Sequence, residues 1–217
     1  MKINAIIPAG GTSSRFGTKN KLIEKINGKP VIQYTVEVFE QSNVDEIIIC
    51  ANPLITEELH SIFENFKKVK IVQGGNTRQQ SVLNGLRAGE CDYVLIHDGA
   101  RPMISVDLVN RAIELVQEKK ALTVATKTID TIKEVQDGKI IRTIDRSKLY
   151  NTQTPQAFEY RLIMNAHLKL MGQDYTDDAG MLEKLGQTVY ILDGSYKNIK
   201  ITTQNDIDIA RIYLATD

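Results

Sequence analysis

Short runs of apolar residues alternate with longer stretches of helical periodicity along most of this chain, and few architectures accept that order. Ile3-Asn4-Ala5-Ile6-Ile7 reads as a first strand, and residues 31–39 carry apolar positions at helical spacing behind Pro30, a favourable helix start. Glu46-Ile47-Ile48-Ile49-Cys50-Ala51 is a continuous apolar run, the pattern of a strand covered on both faces. The alternation goes on with a helix over 56–66, a strand over 69–72 and a helix over 78–87. A strand over 93–97, a helix over 106–119 and a strand over 122–126 follow. The expected fold is α/β: a mostly parallel twisted sheet with helices on both faces. In such sheets ligands bind beyond the carboxyl ends of the strands. The loops after Ile7, Val72 and His97 are therefore the first suspects.

Between 129 and 150 the pattern changes. Thr131-Ile132-Lys133-Glu134-Val135 and Ile140-Ile141-Arg142-Thr143-Ile144 alternate apolar with polar and flank Asp137-Gly138, a strong hairpin signal. A lone hairpin is marginal in water, so this one needs something to pack on. The expected partner is the same hairpin of a second subunit, with a fold back onto its own domain as the alternative. The tail reads as helices over 159–171 and 177–185, a strand over 189–192, a short strand or turn over 198–202 and a helix over 206–214. The expected organisation is one domain over 1–217, with 129–150 as a dimerisation arm.

Composition narrows the class. With 217 residues, 42% hydrophobic and 25% charged, the chain can build a large core and is not of the collagen-like, low-complexity or disordered kinds. Lys plus Arg and Asp plus Glu both number 27, which speaks against a general nucleic-acid coat. Cys50 and Cys91 lie in or beside apolar stretches and are expected as free thiols in a reducing compartment. No signal-peptide pattern opens the sequence, and no window approaches the roughly 20 apolar residues that span a bilayer. The expectation is a soluble, cytoplasmic protein without a membrane or nucleic-acid partner.

Three loops carry chemistry. Pro8-Ala9-Gly10-Gly11-Thr12-Ser13-Ser14-Arg15-Phe16-Gly17-Thr18-Lys19-Asn20-Lys21 follows the first strand. Its small residues let backbone N–H groups gather on one anion, and Arg15 and Lys21 add positive charge, as a polyphosphate requires. It matches neither the P-loop nor the dinucleotide fingerprint. Gly74-Gly75-Asn76-Thr77-Arg78-Gln79-Gln80-Ser81 opens a helix that Asn76 or Thr77 can cap, and its glycines and hydroxyls can receive a flat base. His97-Asp98-Gly99-Ala100-Arg101-Pro102 puts an Asp at a strand end, suited to metal or ribose contact, with Arg101 able to hold it. His97 reads as a packed strand-end residue, and His60 and His167 as surface residues without partners. No His/Cys cluster has zinc spacing, and no acyl-transfer elbow occurs.

With Asp130-Thr131, Asp145-Arg146, Thr152-Gln153-Thr154-Pro155-Gln156-Ala157-Phe158, Thr176-Asp177-Asp178-Ala179 and Asn198-Ile199-Lys200-Ile201-Thr202, these loops form an ordered set along nearly the whole chain. In that set the chain resembles the 2-C-methyl-D-erythritol 4-phosphate cytidylyltransferase family of the non-mevalonate isoprenoid route. The resemblance implies a Rossmann-like nucleotidyltransferase fold, and CTP and a polyol phosphate as substrates. It implies Mg²⁺, held mainly by the CTP phosphates and near Asp98, and a homodimer joined by the arm. Ala9, Gly10, Gly11, Gly75, Asn76, Ser81, Gly99 and Arg101 would line the CTP site. Arg15, Lys21 and Lys200 would be the catalytic cations, with Lys19 or Lys21 as the phosphate-contacting lysine. Asp98, Thr131, Arg146, Thr154 and Lys200 would hold the sugar phosphate, Thr131 and Arg146 in the neighbouring subunit's site. The family often has Ala-Ala-Gly at Ala9-Gly10-Gly11 and an acidic residue at Asn76 or Thr77. A ribitol 5-phosphate cytidylyltransferase is the nearest alternative, and a nucleotide-binding module without catalysis is a more remote one.

Overall fold

The computed structural model describes residues 1–11 and 20–215. Its elements are β1 (Ile3–Ala9), β2 (Lys25–Ile26), β3 (Lys29–Pro30), α1 (Val31–Gln41), β4 (Glu46–Ala51), α2 (Thr56–Phe63) and β5 (Val69–Gln73). Next come α3 (Arg78–Ala88), β6 (Tyr93–Ile96), α4 (Val106–Lys119), β7 (Ala121–Lys127), β8 (Ile132–Gln136) and β9 (Lys139–Ile144). The chain ends with β10 (Tyr150–Glu159), α5 (Tyr160–Lys169), α6 (Asp178–Lys184), β11 (Tyr190–Asp193) and α7 (Gln204–Leu214).

Seven strands form one sheet in the order β11-β7-β10-β6-β1-β4-β5, parallel except for β10. The period-two alternation of side chains explains the continuous apolar runs. In β1 and β4, Ile7, Ile47 and Ile49 pack with α1, α2, α4 and α7, while Ile6, Ile48 and Cys50 pack with α3, α5 and α6. Each fully buried isoleucine contributes about 1.5–3 kcal/mol. From β1 the chain steps outward to β4 and β5, then returns to the other side of β1 with β6. The crevice above the carboxyl ends of β1 and β6 is thus the switch point where ligands bind in open α/β sheets.

One central strand, β10, departs from the sequence expectation. Pro155 and the polar run around it argue against an interior strand. The sheet accommodates them with a bulge: the register to β7 shifts between Thr152 and Gln156. Beyond the bulge, Gln156 pairs with Ile96. The bulge therefore lies beside His97 and Asp98, and the buried Gln153 and Thr154 side chains bond to the Ser195 carbonyl, the Asp98 N–H and His97.

The hairpin forms as expected. Asp137 and Gly138 have φ of 50° and 76°, the positive values a two-residue turn of this hand requires. Among the described residues, strands β8 and β9 pair only with each other. Val135, Ile140 and Ile141 stay 55%, 64% and 56% exposed. Among the described residues no helix is long and apolar enough to cross a membrane.

Candidate active site

Two loops close one side of the crevice. A Cβ on Gly10 would stand 2.6 Å from Ser81 Oγ and 3.1 Å from the Gly75 carbonyl, and one on Gly74 would stand 2.9 Å from the Cys50 carbonyl. Only glycine allows this approach. Buried Ser81 accepts from the Gly75 N–H at 3.0 Å and donates to the Thr77 carbonyl at 2.9 Å. It holds the loop from within. Thr77 caps α3 by accepting from the Gln80 N–H, while Gln80 Oε1 accepts from the exposed Asn76 N–H. Ala9 ends β1 and is buried, whereas Gly11 is exposed with open space around it. Arg15 and Lys19 lie outside the described residues.

The other side is built around Asp98. Its carboxylate meets Lys200 Nζ at 2.8 Å, Arg78 Nε at 3.4 Å and Arg101 Nε at 3.6 Å. Burial alone would raise this carboxyl, but Arg78, Lys200 and Arg101 override it and hold it far below the usual carboxylate range. Hydrogen bonds to backbone carbonyls fix the loops that carry these groups. Arg101 Nη1 donates to the Asn198 carbonyl at 2.8 Å, and the Ile201 N–H donates to the Ala100 carbonyl at 2.8 Å. Asn198 Nδ2 donates to the Thr154 carbonyl at 2.9 Å, and Lys21 Nζ to the Ile201 carbonyl at 2.8 Å. Lys21 and Lys200 thus converge on one stretch of chain. A Cβ on Gly99 would stand 3.1 Å from Ile7 Cγ2 and 3.5 Å from Ile32 Cδ1.

Behind Asp98 lies a second layer. The Asp98 N–H donates to Thr154 Oγ1 at 3.1 Å, so the Thr154 hydroxyl is left to donate to His97 Nδ1 at 3.0 Å. His97 Nε2 then faces the Arg101 carbonyl at 3.4 Å as the N–H of a neutral ring. Burial pushes the His97 pKa down to about 4, only partly opposed by Asp98. It is a packed strand-end residue, as read from the sequence.

Thr131 and Arg146 stand apart. Both are exposed at the base of the hairpin, where Arg146 donates to the Ile129 carbonyl. Among the described residues no bond joins them to Asp98 or Lys200 of their own chain.

The sequence reading missed Arg78, Asp178 and His167. Arg78 bridges Asp98 and Asp178, reaching Asp178 Oδ2 at 2.7 Å. A signal was available: an arginine opens α3 with no acidic residue in the first turn, against the helix dipole, so it needs a carboxylate from elsewhere. His60 is exposed, as expected, but His167 is not a surface residue. It is buried and donates from Nε2 to Asp178 Oδ1 at 3.1 Å, because α5 turns that face onto α6.

Among the described residues no group of three or more His, Cys, Asp or Glu side chains is placed to hold a metal ion. Asp98, with one oxygen on Arg78 and the other on Lys200, is a poor ligand for one. The residues do not fit a resident, protein-held Mg²⁺.

Glycine-rich loops after β1 and β5, together with the lysine and arginines gathered on Asp98, suit a nucleotide beside a second anion. The family model described as 2-C-methyl-D-erythritol 4-phosphate cytidylyltransferase matches residues 3–216. The chain belongs to this family. A relative of that name from Clostridioides difficile is 42% identical, over 95% of this chain and 91% of its own. One from Bacillus licheniformis is 40% identical, over 100% and 97%. The crystal structure of a 4-diphosphocytidyl-2C-methyl-D-erythritol synthase from Anaerococcus prevotii superposes with a TM-score of 0.89 at 33% identity, over 99% of this chain and 96% of its own.

Proposed function

We infer that the protein transfers a cytidylyl group from CTP to 2-C-methyl-D-erythritol 4-phosphate. A phosphate oxygen of the polyol phosphate forms a bond to the α-phosphorus of CTP. The bond from that phosphorus to the oxygen bridging to the β-phosphorus breaks, and pyrophosphate leaves with its electron pair. Because the nucleophile is already an ionised phosphate, no strong base is needed. Positioning and charge neutralisation carry the rate.

The observation that supports this reading most is the gathering of Lys200, Arg78 and Arg101 on Asp98 just beyond the carboxyl end of β6, with Lys21 bonded to the Ile201 carbonyl beside Lys200. We assign the triphosphate and base to Ala9, Gly10, Gly11, Gly75, Asn76, Ser81, Gly99 and Arg101, with Arg15 and Lys21 on the phosphates. Asp98, Thr154 and Lys200 receive the polyol phosphate. Mg²⁺ enters with the triphosphate of CTP rather than on protein ligands. The hairpin acts as the arm of a homodimer and brings Thr131 and Arg146 to the partner's site, a reading supported by its uncovered Val135, Ile140 and Ile141. The two free cysteines favour a cytoplasmic enzyme.

The test offers CTP and Mg²⁺ with methylerythritol phosphate or ribitol phosphate in parallel and measures pyrophosphate release. A higher kcat/KM for methylerythritol phosphate is expected. Preference for ribitol phosphate would reassign the substrate, and CTP binding without pyrophosphate would remove the catalytic reading.

A further inference from the structure

The crevice is coupled to a buried pair that no substrate can touch. Lys200, Asp98, Arg78, Asp178 and His167 form one continuous chain of charge-assisted contacts at 2.8, 3.4, 2.7 and 3.1 Å. Its outer end, Lys200, is 39% exposed, while the side chains of Asp178 and His167 are 1% and 0% exposed. Arg78 is the hinge of this chain, because its guanidinium is divided between two carboxylates.

How Arg78 is divided depends on Asp178. The Asp178 N–H and the Ala179 N–H both donate to Gln156 Oε1, at 2.9 and 3.2 Å, so β10 fixes the start of α6. Gln156 Nε2 donates to Thr123 Oγ1 and Asp177 Oδ2, so that anchor is itself fully bonded. The backbone of Asp178 is then set, and the rotation of its carboxylate is not. His167 Nε2 holds Oδ1 and leaves Oδ2 alone to face Arg78 Nη1. Without that bond the carboxylate is free to turn and take the guanidinium fork through both oxygens. Arg78 Nε would leave Asp98, and Asp98 would hold Lys200 more tightly.

We propose that His167 is a positioning residue for the transferase reaction, acting through Asp178 and Arg78 on how firmly Asp98 holds Lys200. The proposal rests on the functional reading above and extends it to a residue on the far side of the sheet end.

The test is a double-substitution cycle on the full-length protein, read as kcat and as KM for CTP and for the polyol phosphate. His167→Leu is expected to lower kcat about tenfold and to leave KM for CTP within about twofold. His167→Gln, which can still donate to Asp178, is expected to restore most of that loss. In an Asp98→Asn background His167→Leu is expected to add almost nothing, since the link it acts through is gone. Additive losses, or unchanged kcat in His167→Leu, would overturn the proposal. Should His167→Leu not fold, Asp178→Asn perturbs the same link in the opposite sense, releasing Arg78 towards Asp98: kcat is expected to change in the wild-type background and not in Asp98→Asn, and equal changes in both backgrounds would overturn the proposal. If the wild-type protein released no pyrophosphate with either polyol phosphate, the functional reading would fail by itself. The crystal structure of His167→Leu would then decide the positioning claim: Arg78 drawn off Asp98 supports it, and an unchanged Arg78–Asp98 contact overturns it.

Discussion

The crevice and the hairpin arm are built in opposite ways. In the crevice the contacts that join one loop to another run between segments far apart in sequence: Lys21 to Ile201 spans 180 positions and Arg78 to Asp178 spans 100. In the arm they are local: Lys133 to Thr143 spans 10 and Glu134 to Arg142 spans 8. Charged groups of the crevice are held by buried partners, whereas Val135, Ile140 and Ile141 of the arm are more than half exposed. A long-range network is complete only when the whole domain has folded, and it needs no second chain to hold its shape. A hairpin with bare Val and Ile side chains is the reverse, since it forms locally and remains unfinished until something covers it. The two regions should therefore respond differently to substitution, to pH and to dilution.

The largest expected effect is in the crevice. Lys200→Ala removes the cation nearest Asp98 and should lower kcat by at least 10²-fold, about 2.7 kcal/mol of transition-state stabilisation. The loss should be the same at every protein concentration, because Lys200 and Asp98 belong to one chain. Turnover within a few-fold of wild type would show that the polyol phosphate does not sit where Lys200 points.

The second concerns the layer behind the crevice. His97 is held neutral, with a pKa of about 4 in the folded protein against about 6.5 when unfolded. Its folded value is the lower one, so the unfolded chain binds the proton more readily. The stability it contributes is complete above the unfolded value and is lost as pH falls towards 4. The loss amounts to about 3 kcal/mol from this one group. Asp98 and Asp178 are depressed as well, so what they contribute is lost only below the ordinary carboxylate range. Urea unfolding at pH 7, 5.5 and 4.5 separates the two classes. The slope between pH 6.5 and 4 should flatten in His97→Asn, and an equal slope in both proteins would show that His97 is not held neutral.

The same contrast explains what could be read from sequence. The apolar runs of β1, β4 and β6 announce a doubly covered sheet, and Asp137-Gly138 announces the hairpin, because both signals are local. Strand β10 was hidden because Pro155 and its polar neighbours mimic a loop, and only the bulge next to Asp98 reconciles them with the sheet. In the crevice, the glycine loops and the motif around Asp98 were legible, since small residues and strand-end charges declare themselves. Arg78, Asp178 and His167 were not grouped, because a pairing across 100 positions leaves no trace in spacing. His167 in particular looks like any histidine of an amphipathic helix until α5 is seen to pack on α6.

The smallest effect, and the one that most sharpens the comparison, is in the arm. Val135 and Ile140 are cross-strand partners and both are more than half exposed, so glutamate at the first and lysine at the second, an opposite-charge pair, cost the monomer little. If a second copy covers them, the same changes place charges in an apolar interface. The double variant Val135→Glu, Ile140→Lys should then elute as a monomer, keep its thermal midpoint within a few degrees and lose activity about tenfold, mainly through KM for the polyol phosphate. A dimer with normal KM would show that the arm is not the interface. Complementation takes the point further. In a mixture of Lys200→Ala with Arg146→Ala, a heterodimer carries one site with its own Lys200 and the partner's arm intact. If Arg146 serves the neighbouring site, random pairing should recover about a quarter of wild-type activity from two weakly active proteins. If Arg146 served the site of its own chain, every site in the mixture would lack one residue or the other, and no activity beyond the sum of the parts would return.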